Sequence, residues 1–178
     1  MKATAALGVL ILLLLAPPAV SQIPDDKLIV PGVRIGKWTL KMTINDLLRM
    51  NGQRVGGGGG AAIEQANARD FVSSDFWWHH WYNLDFDAIT MGRDSQRAVV
   101  LLVTAGEYKT AKGIAVKSAS RGDVDRAYGK PTVVTQPLPN WSSPIHDKAG
   151  LGMDFDPNGV ARSIFIFRVG SARQIFKF

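Results

Sequence analysis

The sequence predicts an α+β protein made of two tandem repeats, each a short helical layer packed on an antiparallel β-sheet. Two glycine-bounded segments carry this prediction: Gly32 to Gly52 reads GVRIGKWTLKMTINDLLRMNG, and Gly113 to Gly129 reads GIAVKSASRGDVDRAYG. Both pass through a short apolar stretch to a Thr or Ser and then to a helical segment that ends in glycine. The segments that follow them in the chain also resemble each other, since Leu84-Asp-Phe-Asp87 and Met153-Asp-Phe-Asp156 each precede a turn and an apolar run. Self-similarity at this spacing is typical of a protein built from repeated structural units.

The first 21 residues have the pattern of a secretory signal peptide. Lys2 supplies a positive charge, Ala5 to Leu15 is an unbroken apolar run, and Ala19-Val20-Ser21 offers small residues for cleavage. The apolar run is shorter than the roughly 20 residues that span a bilayer, and no other segment reaches that length. We therefore expect cleavage after Ser21 and no transmembrane span in the mature chain. An uncleaved signal anchor is the alternative.

Composition narrows the class of protein further. The chain contains no cysteine, which excludes disulfides, thiolate chemistry and a lipid-acceptor cysteine after the apolar run. Export without a disulfide or a lipobox favours a periplasmic or secreted bacterial protein. The formal net charge is +6, and the basic residues are scattered rather than clustered. Such a surface attracts anionic lipid or polysaccharide weakly, and we expect no nucleic-acid partner.

The first repeat is assigned to residues 22–112. Thr43 is expected to cap a helix because Asp46 follows three residues later, as in a capping box. Gly56 to Gly60 form a glycine-rich insertion after the helix. The pair Lys-Ser/Thr does not follow these glycines and no strand runs directly into them, as phosphate-binding loops require. A flexible linker is therefore expected there rather than a nucleotide site.

The second repeat is assigned to residues 113–178. Ser120 and Asp123 repeat the cap, and Gly129 ends the helix. Asp156-Pro-Asn-Gly159 has the composition of a hairpin turn. Strands are expected over about 33–40, 76–87 and 98–103 in the first repeat, over about 132–136, 151–155 and 163–169 in the second, and at the tail over 174–178.

The carboxylates of the second repeat also match the opening of a calcium loop, Asp154-x-Asp156-x-Asn158-Gly159. Such a loop closes with a bidentate Glu at its twelfth position, where this chain has Phe165. A turn explains the segment, and we expect no metal or other cofactor. In the two similar segments, Asp85 and Asp87 correspond to Asp154 and Asp156. This correspondence indicates a shared structural role for the four aspartates at strand ends.

The most unusual stretch of the sequence is Phe76-Trp-Trp-His-His-Trp-Tyr82. Read as a strand, its side chains alternate between two faces of a sheet. The set that contains Trp78, His80 and Tyr82 continues to Leu84 and Phe86, and is expected to face the helices. The other set is expected to lie on the open face, and it consists of Trp77, His79 and Trp81 with Asn83, Asp85 and Asp87.

Trp77, His79, Trp81 and Asp85 are therefore the candidate ligand-binding residues. Aromatic side chains on an open sheet face either pack against the neighbouring repeat or the glycine-rich insertion, or they form a platform for a protein or glycan. Adjacent histidines on a regular strand point oppositely and cannot bind one metal ion. A three-histidine zinc site with His146 would need a broken strand.

No catalytic constellation stands out in the sequence. Motifs for a nucleophilic serine, G-x-S-x-G and S-x-x-K, are both missing from it. We therefore expect a protein that is not an enzyme. Two alternatives stay open: a small periplasmic hydrolase or metal-dependent enzyme using His79 and the aspartates, and an envelope factor that contacts anionic lipid.

The second repeat carries a family resemblance. The pattern of Gly113, an apolar strand and a Ser cap continues as Asp123-Val-x-x-x-Tyr-Gly-Lys-Pro131, then Gly150-Leu-x-Met-x-Phe-Asp156 and an Ile-Phe-Ile strand. This resembles the repeat of β-lactamase-inhibitor-protein-like modules, and the BamE (SmpA/OmlA) envelope lipoproteins are similar in their single unit. The resemblance covers the first repeat loosely. The chain departs from these families in having neither the disulfides of the inhibitor nor the lipobox of the lipoprotein.

That resemblance implies two units in tandem that form a concave sheet surface. Proteins built in this way are binding or scaffold proteins of the cell envelope rather than catalysts. We therefore expect an exported, non-catalytic protein of the bacterial envelope that recognises a protein, or else a glycan, through its open aromatic sheet face.

Overall fold

The computed structural model describes residues 25–52, 56–59, 71–72, 75–91 and 97–178. The expected signal peptide lies outside these residues. The described chain is mixed α/β and mostly strand, and none of its helices is long and apolar enough to cross a membrane. Its helices are α1 (Ile44–Asn51), α2 (Arg121–Tyr128) and α3 (Ala172–Ile175). Its strands are β1 (Leu28–Val30), β2 (Arg34–Ile35), β3 (Trp38–Thr39), β4 (Gly56–Gly59), β5 (Phe76–Trp81), β6 (Phe86–Met91), β7 (Ala98–Val103), β8 (Lys109–Thr110), β9 (Val133–Thr135), β10 (Ser143–His146), β11 (Leu151–Phe155) and β12 (Ala161–Phe167).

Eight of these strands form one antiparallel sheet in the order β4-β5-β6-β7-β12-β11-β10-β9. Strands β7 and β12 lie at its centre, where Leu101 is opposite Ile166 and Val103 is opposite Ile164. Each of the two is the last strand of a four-strand meander, β4 to β7 on one side and β9 to β12 on the other. Both meanders therefore start at an outer edge of the sheet and finish at its centre.

A smaller sheet has the order β3-β2-β1-β8. In it, β1 pairs in parallel with β8, so the N-terminal segment is tied to the stretch between β7 and α2. The single strand predicted over 33–40 is split into β2 and β3. Gly36 lies at the break with φ +52°, and a Cβ there would be 2.1 Å from the carbonyl oxygen of Asp26. Glycine is suited to such a position because it adopts positive φ without steric cost.

The two predicted helix caps are confirmed. Thr43 Oγ1 accepts the Asp46 N–H at 3.1 Å, and the Thr43 N–H donates to the Asp46 carboxylate at 2.9 Å. Ser120 and Asp123 make the same two bonds at 3.2 and 2.9 Å. The N–H and hydroxyl of Thr43 stabilise the charged carboxylate and lower the pKa of Asp46 to about 2. A capping box of four residues thus determines where α1 and α2 begin.

One face of the large sheet is covered by α1, α2 and the small sheet. The apolar residues buried there, which we call cluster one, join the three covering elements to the sheet through Trp38, Leu47 and Val124. Trp38 stacks on Phe86, with ring centroids 4.0 Å apart. Cluster one also contains Ile29, Ile35, Trp81, Ala88, Leu101, Val103, Leu151, Met153, Phe155, Ile164 and Ile166.

The opposite face is covered by the C-terminal segment, so apolar residues pack on both faces of β12. Phe176 contacts Phe165 and Phe167 at centroid distances of 5.7 and 5.5 Å, and it forms an isolated bridge with Phe71. The edge strand predicted over 174–178 is therefore wrong, because this segment crosses the sheet as α3 and an extended residue. Cluster two is the apolar set beneath it: Phe71, Phe76, Ile89, Val100, Leu102, Ile145, Phe165, Phe167, Ala172, Ile175 and Phe176.

The strand predicted over 76–87 is in fact a hairpin of two strands, β5 and β6. Residues Tyr82–Leu84 form a 3₁₀ turn, and Asp85 follows in the left-handed region with φ 48°. Asp and Asn adopt that region more easily than other non-glycine residues. The turn contains Tyr82 and Leu84 among its polar residues. The alternation of apolar and polar residues therefore continues through the turn in the sequence, although the backbone reverses direction there.

Strand β10 was not predicted, because Pro144 argues against a strand. The turn predicted at Asp156 to Gly159, which connects β11 to β12, is confirmed: the Gly159 N–H donates to the Asp156 carbonyl at 2.9 Å. The Asp156 side chain accepts N–H groups of Asn158 and Val160 and pairs with Arg162. These bonds lower the pKa of Asp156 and use its carboxylate for the turn.

The flexible glycine linker is also wrong, since Gly56–Gly59 form β4. They pair in register with His80, His79, Trp78 and Trp77 of β5. Ladder hydrogen bonds offset the entropy that glycine loses when it is ordered. Gly60 and the residues up to 70 lie outside the described part of the chain.

The echo between Leu84–Asp87 and Met153–Asp156 does not mark equivalent places. The first segment starts β6, where Phe86 is opposite Val103, whereas the second ends β11, where Asp154 is opposite Ser163. The four aspartates thus have different surroundings and no shared structural role. The similarity arose because both segments alternate as strands do.

Gly152 is expected to be intolerant of any side chain. A Cβ there would lie 2.1 Å from Cζ of Phe165, whose ring covers this position in cluster two. Gly152→Ala should lower the free energy of unfolding by about 1–3 kcal/mol through overpacking. The matched control is Gly122→Ala on the exposed side of α2, which should raise it by about 0.5–1 kcal/mol. Urea denaturation of both variants checks this, and equal effects would contradict the packing at Gly152.

Candidate binding site

The two faces of β5 are assigned the opposite way from the sequence prediction. Phe86 is opposite Trp81 in the ladder, and both rings belong to cluster one under α1. Counting every second residue through Leu84 reversed the assignment, because the 3₁₀ turn interrupts the alternation. Residues His79 and Trp81 therefore face the helices, and Trp78 and His80 lie on the other side of the sheet.

Trp81, a candidate binding residue, is completely buried. Its indole Nε1–H donates to the carbonyl of Gly52 at 3.2 Å, so it holds the C-terminal end of α1. Its ring also contacts Phe86 at a centroid distance of 5.5 Å. A side chain in this position supports the core and has no surface to offer a ligand.

The other candidate residues of the predicted site are dispersed. His79 is 2% exposed, and its Nε2 shares a 3.1 Å hydrogen bond with the hydroxyl of buried Thr90. Trp77 is partly buried and packs against cluster two. Asp85 is exposed in the turn after β5, where its carbonyl accepts the Thr104 N–H at 3.0 Å. The structure does not bring these four residues together.

A different set of aromatic residues forms a continuous row along this end of the sheet. Trp78 and His80 lie with ring centroids 5.1 Å apart, and Tyr82 meets His80 edge-on at 3.8 Å. We call Trp78, His80 and Tyr82 the aromatic row. Tyr82 is 61% exposed, the largest exposure among the bulky apolar side chains described. Edge-to-face contact is the favourable geometry for such rings and holds Tyr82 in place at the surface.

The glycines of β4 place no side chain beside the aromatic row. Gly56 is opposite His80 and Gly58 is opposite Trp78. On most sheets a neighbouring strand would place a side chain beside each of these rings, at about 5 Å. Glycine places none there, so no side chain of β4 lies beside Trp78 or His80.

His80 is held by a buried carboxylate. Its Nδ1 contacts Asp87 Oδ1, and the two residues are opposite each other in the ladder of β5 and β6. The side chains of His80 and Asp87 are 14% and 8% exposed. A carboxylate that accepts from Nδ1–H fixes the orientation of the ring and leaves Nε2 as the acceptor nitrogen of the neutral form. We call the two residues the His80–Asp87 dyad.

Trp78 contributes an unused hydrogen-bond donor. Its indole Nε1 is buried, yet within the described part of the chain it has no hydrogen-bond partner. Buried polar atoms without a partner are rare in native proteins, and each one needs an explanation. A ligand or water acceptor beside the aromatic row would supply the missing bond.

The second buried carboxylate of the sheet is not free for ligand binding. Asp154 accepts the hydroxyls of Ser143 and Ser163, and all three residues are buried. The described residues contain no group of three or more His, Asp or Glu side chains that could hold a metal ion. The aromatic row and the His80–Asp87 dyad are therefore the candidate site.

The sequence and the structure give candidate residues in the same segment, but they are different residues. The signal for the second set was present in Asn83 and Asp85, two turn-forming residues close together after β5. Placing a hairpin turn there would have put Asp87 opposite His80.

Searches against protein-family models, curated proteins and solved structures matched nothing to this chain.

Trp81 and Tyr82 are adjacent in sequence, but truncation is expected to cost much more stability at Trp81 than at Tyr82. Trp81→Ala removes a buried ring and its bond to Gly52, and should lower the free energy of unfolding by about 3–5 kcal/mol. Tyr82→Ala removes an exposed ring and should lower it by less than about 1 kcal/mol. Urea denaturation followed by circular dichroism measures both. A larger loss for Tyr82 than for Trp81 would contradict the face assignment.

Proposed function

We propose that this chain is an exported, non-catalytic binding protein of the bacterial cell envelope, and that it recognises a protein partner through the aromatic row. One observation carries the proposal: the exposed ring of Tyr82 is supported from beneath by His80, which Asp87 in turn holds in place. An aromatic side chain that is already positioned loses little conformational freedom on binding. The exposed row thus has the properties of a preformed anchor.

The composition of the site favours a protein as the partner. Tyr and Trp are enriched among the residues that dominate protein–protein binding energy, especially with polar groups around them. Met91 is 46% exposed at the far end of β6, on the same face as Ile89 and Trp78. Methionine adapts its shape to an apolar partner. Tyr82 is 61% exposed, which leaves its ring accessible to a macromolecule.

Two tandem repeats form part of the proposal. Helix caps Thr43 and Ser120 lie 77 positions apart, and so do β4 and β9, which begin at Gly56 and Val133. The left-handed residues Asp85 and Gly150 lie 65 positions apart, and their carbonyls accept the N–H groups of Thr104 and Phe167 at 3.0 and 3.1 Å. These matches support a repeated unit of one helix and four strands. The additional residues of the first unit then fall between β4 and β5.

Export is supported by the sequence. The basic and apolar pattern of residues 1–21 is typical of a signal peptide, and the absence of cysteine fits a bacterial periplasmic protein. The same features favour a periplasmic or secreted location after cleavage. The proposed resemblance to β-lactamase-inhibitor-protein-like and BamE-like envelope proteins rests instead on the motif of the second repeat, from Gly113 onward.

Removing Tyr82 is expected to abolish most partner binding without unfolding the protein. Affinity capture from envelope extract with the chain from residue 22 onward should retain a protein that Tyr82→Ala loses, with a drop in affinity of roughly 10–30-fold. The matched control is Phe178→Ala, which removes another exposed aromatic ring, 45% exposed, far along the chain. Melting temperature is measured for each bait.

Three results would contradict the proposal. Equal loss for Tyr82→Ala and Phe178→Ala would mean that binding does not use the aromatic row. Retention of a glycan instead of a protein would replace the partner class. Strongly salt-sensitive association with anionic vesicles that Tyr82→Ala leaves unchanged would favour the lipid-contact function over protein recognition.

A hydrolase is the second candidate function, because the His80–Asp87 dyad has the arrangement of a general base and its orienting carboxylate. The unpartnered Trp78 N–H could donate to an oxygen that gains charge in the same place. The sequence assigned this role to His79, whose ring is instead buried against Thr90. Water would be the nucleophile.

Any hydrolytic activity of this site should depend on His80 and not on His79. His80→Gln and Asp87→Asn would each reduce turnover of chromogenic esters by about 10²–10⁴-fold, since they remove the base or its orienting group. His79→Gln, scaled to the folded fraction, should leave the rate unchanged. Absence of turnover by the unmodified protein over a panel of esters and glycosides would remove this candidate.

A further inference from the structure

His146 is a buried histidine for which the proposed binding function has no use. It ends β10 and is 3% exposed, and within the described residues neither of its ring nitrogens has a hydrogen-bond partner. A buried imidazole normally donates or accepts at one nitrogen at least. This ring packs under α2, where the Tyr128 ring lies with its centroid 6.2 Å away.

Helix α2 presents both a cation and an anion to this ring. Arg121 Nε lies 3.6 Å from Asp125 Oδ2, while Arg121 Nε and Asp125 Oδ1 are buried and, among the described residues, have no hydrogen bond. Burial, the largest influence, lowers the pKa of His146. Arg121 lowers it too, and Asp125 acts in the opposite direction.

The other charged groups nearby are engaged elsewhere. Asp147, the next residue, accepts the N–H of Ala172 at 2.9 Å, which directs its carboxylate to the C-terminal segment. Lys112 lies 4.7 Å over the Tyr128 ring and adds positive charge on that side of α2. Burial raises the pKa of Tyr128, so its phenol is neutral below that value. A positive charge on His146 would therefore be poorly compensated.

The corresponding place under α1 is occupied by Trp81, a side chain that does not titrate. Trp81 ends β5 as His146 ends β10, and each is followed by a turn with a left-handed residue at Asp85 or Gly150. Trp81 satisfies its only polar atom by donating to Gly52. The two helices have the same length and the same type of cap, so α1 is an internal reference for α2.

We propose that His146 is an acid-sensitive latch: protonation of its ring releases α2 from the large sheet while α1 stays in place. An eight-residue helix is marginal in water on its own, so α2 depends on the contact that protonation disrupts. Release would uncover the part of cluster one beneath Val124, Ala127 and Tyr128. The device is separate from the aromatic row, which lies at the far end of the sheet on the opposite face.

The direction of the effect follows from proton binding. The open state has a histidine of ordinary pKa, about 6.5, and the closed state has a lower pKa, so the open state binds more protons in between. The opening equilibrium constant should therefore rise by up to about tenfold for each pH unit below 6.5, until the closed-state pKa is reached. The capping carboxylates Asp46 and Asp123 have lowered pKa values in both helices, so their loss in stronger acid affects α1 and α2 alike.

Hydrogen exchange of the full chain between pH 7.5 and 4.5 tests the latch. After correction for intrinsic exchange rates, protection of α2 amides should fall relative to α1 amides, by up to about tenfold for each pH unit below 6.5. His146→Phe should remove this difference, and His146→Leu serves the same purpose if the larger ring is not accommodated. Asp125→Asn, which removes the compensating charge, should enlarge it.

Three results would overturn the latch. Protection of α2 could stay constant down to pH 4.5, or it could fall in parallel with that of α1. The difference between the helices could also persist in both His146 variants, which would assign the acid response to another group. The comparison of α1 with α2 uses the unmodified protein, so it decides the matter even if a variant does not fold.

Discussion

The pairing of β7 with β12 is the constraint on which the rest of the structure depends. It is the contact through which two four-strand meanders become one sheet, and its residues alternate between cluster one and cluster two: Leu101 is opposite Ile166, and Leu102 is opposite Phe165. A strand pair that is apolar on both faces must be covered on both. The helices and the small sheet cover one face, and the C-terminal segment covers the other.

The candidate site lies where these covers end. Phe176 crosses the centre of the sheet, whereas β5 lies near its outer edge. There the glycines of β4 add backbone hydrogen bonds without adding side chains, so Trp78 and His80 of β5 have no side chain of β4 beside them. An edge of this kind exposes rings that are rigidly supported. Strand β5 lies between β4 and β6. Its position beside β6 explains the buried support from Asp87, and its position beside the glycines of β4 explains the partial exposure of the aromatic row.

Local patterns in the sequence predicted the parts of this fold that depend on few residues. Both capping boxes and the turn at Asp156 were predicted because a few adjacent side chains satisfy each other. The β5–β6 hairpin could not be separated from one long strand, since Tyr82 and Leu84 preserve alternation through a turn. Which face of β5 is buried depends on pairing between β6 and β7, and the role of Gly56–Gly59 depends on a partner strand distant in sequence. Both are non-local contacts that a pattern of letters does not specify.

If the chain consists of two repeats as proposed, their differences are more informative than their similarity. Trp81 occupies the position under α1, where it fills space and donates one hydrogen bond. His146 occupies the position under α2, and among the described residues neither of its ring nitrogens has a hydrogen-bond partner. The outer strand is glycine in one unit and Val133–Thr135 in the other. The first unit therefore combines a helix that is bonded to Trp81 with an outer strand that has no side chains. The second combines an outer strand that has side chains with a helix over an unsatisfied histidine, so the proposed conformational response should begin there.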